Sequence, residues 1–182
     1  MENSNGWLET PRANKITVAV IMTGGTIAKS YDPVEARLYN HETKVEDLIG
    51  ELRTDDLDLT FIDLMHRDSL EIGDEERKII VDQIDQSVRG FDAVLVTHGT
   101  DTLPDTAEEL CSSIEQLDVP VVFTGAMIPH SIKGSDAAQN VTEALLALRM
   151  LSAGVYIVFH NRVLSLPGVR KDYENLTFEK VS

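Results

Sequence analysis

Five short apolar runs, at 16–22, 59–64, 93–97, 119–124 and 155–160, constrain this chain most, because each is too short for an ordinary helix and most are rich in β-branched residues. They are apolar on both alternations, which suits parallel strands covered on both faces. Helical stripes lie between them. Ala107, Leu110, Cys111, Ile114 and Leu117 follow the helix period, as do Ala138, Val141, Ala144, Leu145 and Leu148. Ile80, Ile84 and Val88 give a third stripe, and Thr43-Lys44-Val45-Glu46 is a capping-box signal for a helix over 43–53. Strand and helix alternate throughout. The order predicts an α/β fold: a three-layer, open, mainly parallel sheet with helices on both faces and a ligand crevice beyond the carboxyl ends of its strands.

The pattern begins at Ile16. Residues 1–14 are polar and broken by Pro11, so they read as a flexible leader, and 15–182 as a single α/β domain. With 16 basic and 31 acidic residues the formal net charge is −15. That charge repels phosphate backbones and anionic lipid, which argues against nucleic-acid and membrane partners. The single cysteine, Cys111, offers no intrachain disulfide. The opening residues lack the basic and apolar segments of a signal peptide, and no apolar run approaches a bilayer's thickness. A soluble, cytoplasmic protein is expected.

The unusual residues fall just past the strand ends. Thr23-Gly24-Gly25-Thr26-Ile27-Ala28 follows the first run, and Thr97-His98-Gly99-Thr100-Asp101-Thr102 closes the third. Glycine permits a sharp turn and a close backbone approach, which leaves amides free to face an anion or a developing oxyanion. Either loop alone reads as a capped strand-to-helix turn; two such loops at one end of a sheet point to a site. Thr23 and Ala28 stand where a phosphate-binding loop needs glycine, and the three spaced glycines of a dinucleotide fingerprint are missing. The five histidines show no H-E-x-x-H pairing. No cofactor or metal is therefore expected. His98 reads as a turn residue pinned by hydrogen bonds rather than as a general base.

Taken together, the two loops resemble the paired signature of the bacterial-type L-asparaginases, the asparaginase/glutaminase family. Further matches run in the family's order: Asp68-Ser69-Leu70-Glu71-Ile72 resembles its substrate-carboxylate loop. Val121–Met127 with Pro129, Ser135-Asp136 and Asn140 resembles its next strand, loop and helix start, and Val169-Arg170-Lys171 the segment carrying its lysine. The likeness covers residues 16 to about 178. Ordinary members are nearly twice as long, with a C-terminal domain that completes the neighbouring subunit's site. This chain therefore resembles the short-chain asparaginases, or an isolated N-terminal domain. The lid after Thr26 is also shortened, and Tyr31 matches the lid tyrosine.

The resemblance implies an L-asparagine amidohydrolase forming L-aspartate and ammonia. It assigns Thr26 as nucleophile of an acyl-enzyme and Tyr31 as proton acceptor or relay. It also assigns Thr100, Asp101 and Lys171 to a second cluster, in which Lys171 is expected to activate Thr100 or an attacking water. Which threonine attacks first is left open, with Thr26 favoured. Gly25, Ser69, Thr100 and Asp101 are the expected substrate contacts, Ser69 for the α-carboxylate and Asp101 for the α-ammonium. Glu71 reads as part of a solvated face leading into Asp74-Glu75-Glu76, and Lys171 taken alone as a surface lysine beside Arg170 and Asp172. The rival reading is a non-catalytic module that binds asparagine or aspartate. A homo-oligomer, dimer or tetramer, is expected from helix faces carrying Leu110, Ile114, Leu145 and Leu148.

Overall fold

The computed structural model describes residues 15–40 and 44–181. The expected leader and Thr43 of the capping-box signal lie outside them. β1 (Ile16–Gly24) is the central organiser. It pairs in parallel with β4 (Leu57–Arg67) on one side and β5 (Ala93–Thr97) on the other. β6 (Pro120–Thr124) and β7 (Gly154–Phe159) extend the parallel sheet, and β8 (Arg162–Ser165) closes it antiparallel to β7. The six-stranded order is β4-β1-β5-β6-β7-β8.

Period-two alternation sends the two sides of each strand into separate cores. From β1, Val18, Val20 and Met22 pack with α1 (Val45–Gly50) and α4 (Ala137–Leu148) through Leu48, Ile49, Val141 and Ala144. Ala19 and Ile21 point the other way, toward Ile80 and Ile84 of α2 (Asp74–Ser87) and Leu103 and Ala107 of α3 (Leu103–Ser113). Helices thus cover both faces of a mainly parallel sheet, as the strand–helix alternation predicts. Among the described residues, no helix is long and apolar enough to cross a membrane.

Several boundaries differ from the expected ones. α1 is shorter than 43–53. α3 ends at Ser113 because Ile114 turns extended, so Ile114 and Leu117 meet the core as irregular chain. Ala138 lies on the exposed side of α4. The faces carrying Leu110, Leu145 and Leu148 are not open for association, since all three residues are buried and Ile114 is half-buried. Exposed apolar side chains lie instead at Leu146 and Met150 near the end of α4 and at Val163 on β8.

Two short hairpins stand outside the main sheet. β2 (Ser30–Asp32) pairs with β3 (Arg37–Tyr39) directly after the Thr26 loop. β9 (Val169–Asp172) pairs with β10 (Thr177–Lys180), seating Val169 and Phe178 in the core of α2 and α3.

Candidate active site

Both glycine turns lie at the carboxyl ends of neighbouring strands, β1 and β5, and touch through backbone. Gly24 and Gly25 have φ of 96° and 77°, a region that favours glycine. A Cβ on Gly25 would lie 2.4 Å from the Cα and N of Gly99, and one on Gly99 would lie 2.5 Å from Cβ of Ser69. Three chain segments therefore meet where no side chain fits between them. The Gly25 amide is not free for an oxyanion, because it donates to the Arg67 carbonyl at 2.8 Å. Thr26 opens a 3-10 turn over Thr26–Ala28, and its amide is among those a short helix leaves without an internal partner.

Lys29 fastens that turn on two sides. Its ammonium pairs with Asp68, and its carbonyl accepts the Ser131 hydroxyl at 3.1 Å. Burial pushes the Asp68 carboxyl up, but the Lys29 ammonium and the amides of Leu70 and Ser69 outweigh it and hold the group below its ordinary value. The β5 turn is fixed from beneath by His98. Its Nδ1 donates to the Gly99 carbonyl at 2.8 Å and its Nε2 accepts the Thr106 hydroxyl at 3.0 Å, a tautomer chosen by those partners. Complete burial pushes the imidazole down to about 4, so it is neutral at pH 7. His98 is the pinned turn residue that the sequence favours.

A polar cluster converges above these turns. Lys171 Nζ donates to Thr100 Oγ1 and to Asp101 Oδ1, each at 2.8 Å, and its side chain is only 9% exposed. Ser69 Oγ donates to Asp101 Oδ2 at 3.0 Å, and Thr102 Oγ1 donates to the Ser69 carbonyl at 2.8 Å. Four of the expected site residues, Ser69, Thr100, Asp101 and Lys171, thus form one connected network. The surface reading of Lys171 is overturned. Glu71 is exposed and accepts from the Asp68 amide at 3.4 Å as part of a helical cap, in keeping with a solvated role.

Tyr31 is not drawn into this network. The residue is 61% exposed, and no described hydrogen bond joins it to Thr26. It sits in β2 opposite Leu38, in a hairpin whose turn is tightened by Asp32 Oδ1 accepting the amides of Val34 and Glu35.

One supporting network is not legible in the sequence as a network, although Gly125, Met127, Asp136 and Asn140 all lie in a quoted motif. Asp136 accepts the amides of Met127 and Ile128, the Asn140 side-chain amide at 2.8 Å and His160 Nε2 at 2.9 Å. Burial pushes the Asp136 carboxyl up, and the two amides with His160 more than compensate, holding it low. Asn140 also donates to the Gly125 carbonyl at 3.0 Å. Gly125 in turn backs onto the His98 carbonyl, where a Cβ would fall at 2.3 Å. The Thr100 turn is thereby braced from β6, β7 and α4. The sequence signal is the Ser-Asp pair before a helix; what it cannot supply is the approach of His160, 24 residues on.

A sheet of this topology, with paired glycine turns and a hydroxyl–lysine–carboxylate cluster at its carboxyl edge, has clear relatives. The family description "Asparaginase, N-terminal" matches residues 17–176, and the chain belongs to that family. The L-asparaginase of Thermococcus kodakarensis is 31% identical over 145 residues, covering 80% of this chain and 44% of that protein. A solved structure of the thermostable L-asparaginase from the same organism superposes with a TM-score of 0.81 at 29% identity, covering 91% of this chain and 51% of the other. The structure of a probable cytoplasmic L-asparaginase from Campylobacter jejuni superposes with a TM-score of 0.78 at 29% identity, covering 91% of this chain and 53% of the other. The chain spans about half the length of the curated L-asparaginases it matches.

Proposed function

We propose that this protein hydrolyses L-asparagine to L-aspartate and ammonia through a threonine ester, in the cytoplasm. The observation that carries the reading is Lys171 Nζ, nearly buried and 2.8 Å from both the Thr100 hydroxyl and the Asp101 carboxylate. A lysine so placed serves proton traffic at a hydroxyl better than it serves stability, since such a pair costs desolvation that a surface pair avoids.

The substrate's two charged ends share one carbon, and the site offers matching partners side by side. The Ser69 hydroxyl takes the α-carboxylate and Asp101 the α-ammonium; the two protein groups are 3.0 Å apart. That anchorage presents the side-chain amide to the Thr26 turn. The Thr26 hydroxyl adds to the amide carbon as Tyr31 accepts or relays its proton, and amides of the turn stabilise the oxyanion. The proton taken from Thr26 passes to the amide nitrogen, and collapse expels ammonia and leaves an aspartyl ester on Thr26. Lys171, acting as the free amine, takes the Thr100 proton while Thr100 takes one from a water that attacks the ester, and the proton is handed on to the Thr26 oxygen as aspartate leaves. Tyr31 must swing from its exposed position over Thr26 for the first step, an expectation that fits its place on a short hairpin.

Thr26→Ala should abolish ammonia release from asparagine while leaving the fold and aspartate binding largely intact. Near-normal turnover in that variant overturns the nucleophile assignment. Absence of ammonia release from the unaltered protein, with asparagine bound, favours the binding-module reading. We also infer a homo-oligomer, a dimer or tetramer, with Leu146, Met150 and Val163 as the apolar face available to it; light scattering over a dilution series that gives a monomeric mass with full activity refutes this.

A further inference from the structure

Lys171 lies on a hairpin that shares no strand pairing with the six-stranded sheet. Its arrival at Thr100, 71 residues away, therefore depends on how β9 is docked. Part of that docking is apolar: Phe178 of β10 is buried edge-on against Phe159, with ring centroids 5.0 Å apart. Arg162 donates to the Phe178 carbonyl at 3.1 Å, and Lys180 donates to the carbonyls of Ser165 and Pro167 at 2.6 Å. These contacts hold β10 and the loop before β9. The start of β9 itself is gripped by Glu108, whose Oε1 accepts the amide of Gly168 and, at 3.4 Å, that of Val169.

The spacing of this grip is informative. Glu108 belongs to α3, which starts immediately after Thr100, Asp101 and Thr102. Asp101 lies two residues before α3 and Glu108 five residues past its first, a span of roughly 10 Å along the helix direction. Three residues separate Gly168 from Lys171, also roughly 10 Å along a strand. Helix and strand thus run side by side with two rungs, a carboxylate on backbone amides at one end and an ammonium on Thr100 and Asp101 at the other. A carboxylate accepting two successive amides fixes the strand along its length in a way that packing alone does not.

We propose that Glu108 is a positioning residue: by accepting the Gly168 and Val169 amides it sets the placement of β9 that brings Lys171 to Thr100 and Asp101. The inference rests on the reading that Lys171 acts in amide hydrolysis. Displacing a reacting group by about 1 Å costs on the order of a hundredfold in rate, so loss of one of several ties should cost at least about tenfold.

The test compares Glu108→Ala, Glu108→Gln and Glu108→Asp in the full chain. Glu108→Gln keeps an acceptor oxygen at the same reach and should stay within about threefold of the unaltered kcat. Glu108→Ala should lower kcat at least about tenfold with KM within about threefold, and should shift the pH profile of kcat. Glu108→Asp, shorter by one methylene, should fall between them and decides the matter if the alanine variant does not fold. Amide hydrogen exchange at Gly168 and Val169 should quicken in Glu108→Ala and stay slow in Glu108→Gln. Full kcat in both the alanine and aspartate variants, equal impairment of alanine and glutamine, or unchanged exchange in alanine overturns the proposal. Lys171→Met separates the two readings: if it retains turnover, the catalytic reading of Lys171 fails, and the exchange data alone report whether Glu108 holds the strand.

Discussion

Gly25 and Gly99 are in backbone contact across neighbouring turns: a Cβ on the first would lie 2.4 Å from the Cα of the second. Gly25→Ala should destabilise through two separate effects, the positive φ of 77° and the overlap, each worth roughly 1–3 kcal/mol. Gly99→Ala has no such φ and acts by pushing on Ser69, so its larger effect should be a raised KM for substrate. Urea melts and steady-state kinetics on the two variants check this; Gly25→Ala with unchanged midpoint and activity would show that the turns yield freely.

Thr100→Val and Lys171→Met should each lower kcat by at least about a hundredfold, the scale of losing an acid–base group. The 2.8 Å bond between them means that they act as one unit, so the double variant should be little worse than either single one. Multiplying losses in the double variant would show independent action.

Asparagine should be preferred to glutamine. Ser69 and Asp101 fix the amino-acid end, and one extra methylene displaces the amide from Thr26, a discrimination of roughly 1–3 kcal/mol. Ammonia release from both substrates gives the ratio, and comparable kcat/KM values refute the anchoring.

Stability should fall as pH drops from about 6.5 toward 4. His98 is neutral in the fold because burial depresses its pKa to about 4 from 6.5, so unfolding takes up a proton throughout that interval. The contribution is fully present above pH 6.5, decreases as pH falls, and is lost below about 4, amounting to on the order of 3 kcal/mol. Asp68 and Asp136, held low, lose theirs only in the carboxylate range beneath. Denaturant midpoints across pH for the unaltered protein and His98→Gln check this, the variant losing about one proton's worth of slope.

The parallel strands are legible in the sequence because burial on both faces leaves no polar alternation to confuse them, as in Val94-Leu95-Val96 of β5. β4 runs longer at both ends than its apolar stretch, since an edge strand tolerates exposed Asp58 at its start and His66 and Arg67 at its end. The hairpins are invisible for the opposite reason. Arg170-Lys171-Asp172 reads as solvated surface, yet Lys171 is drawn inward to Asp101, 70 residues earlier, once Phe178, its pairing partner on β10, is seated in the core. Glycine turns announce where a site would lie; the long-range ties of Glu108 and His160 leave no local pattern to read.

The separateness of the β9–β10 hairpin orders events during synthesis. Strands β1 to β8 leave the ribosome before Lys171 does, carrying everything the parallel sheet needs for its own pairing. The strands of the sheet thus carry Thr26, Thr100 and Asp101 to its edge, and the ammonium that joins Thr100 to Asp101 comes only with the hairpin that follows them in the chain.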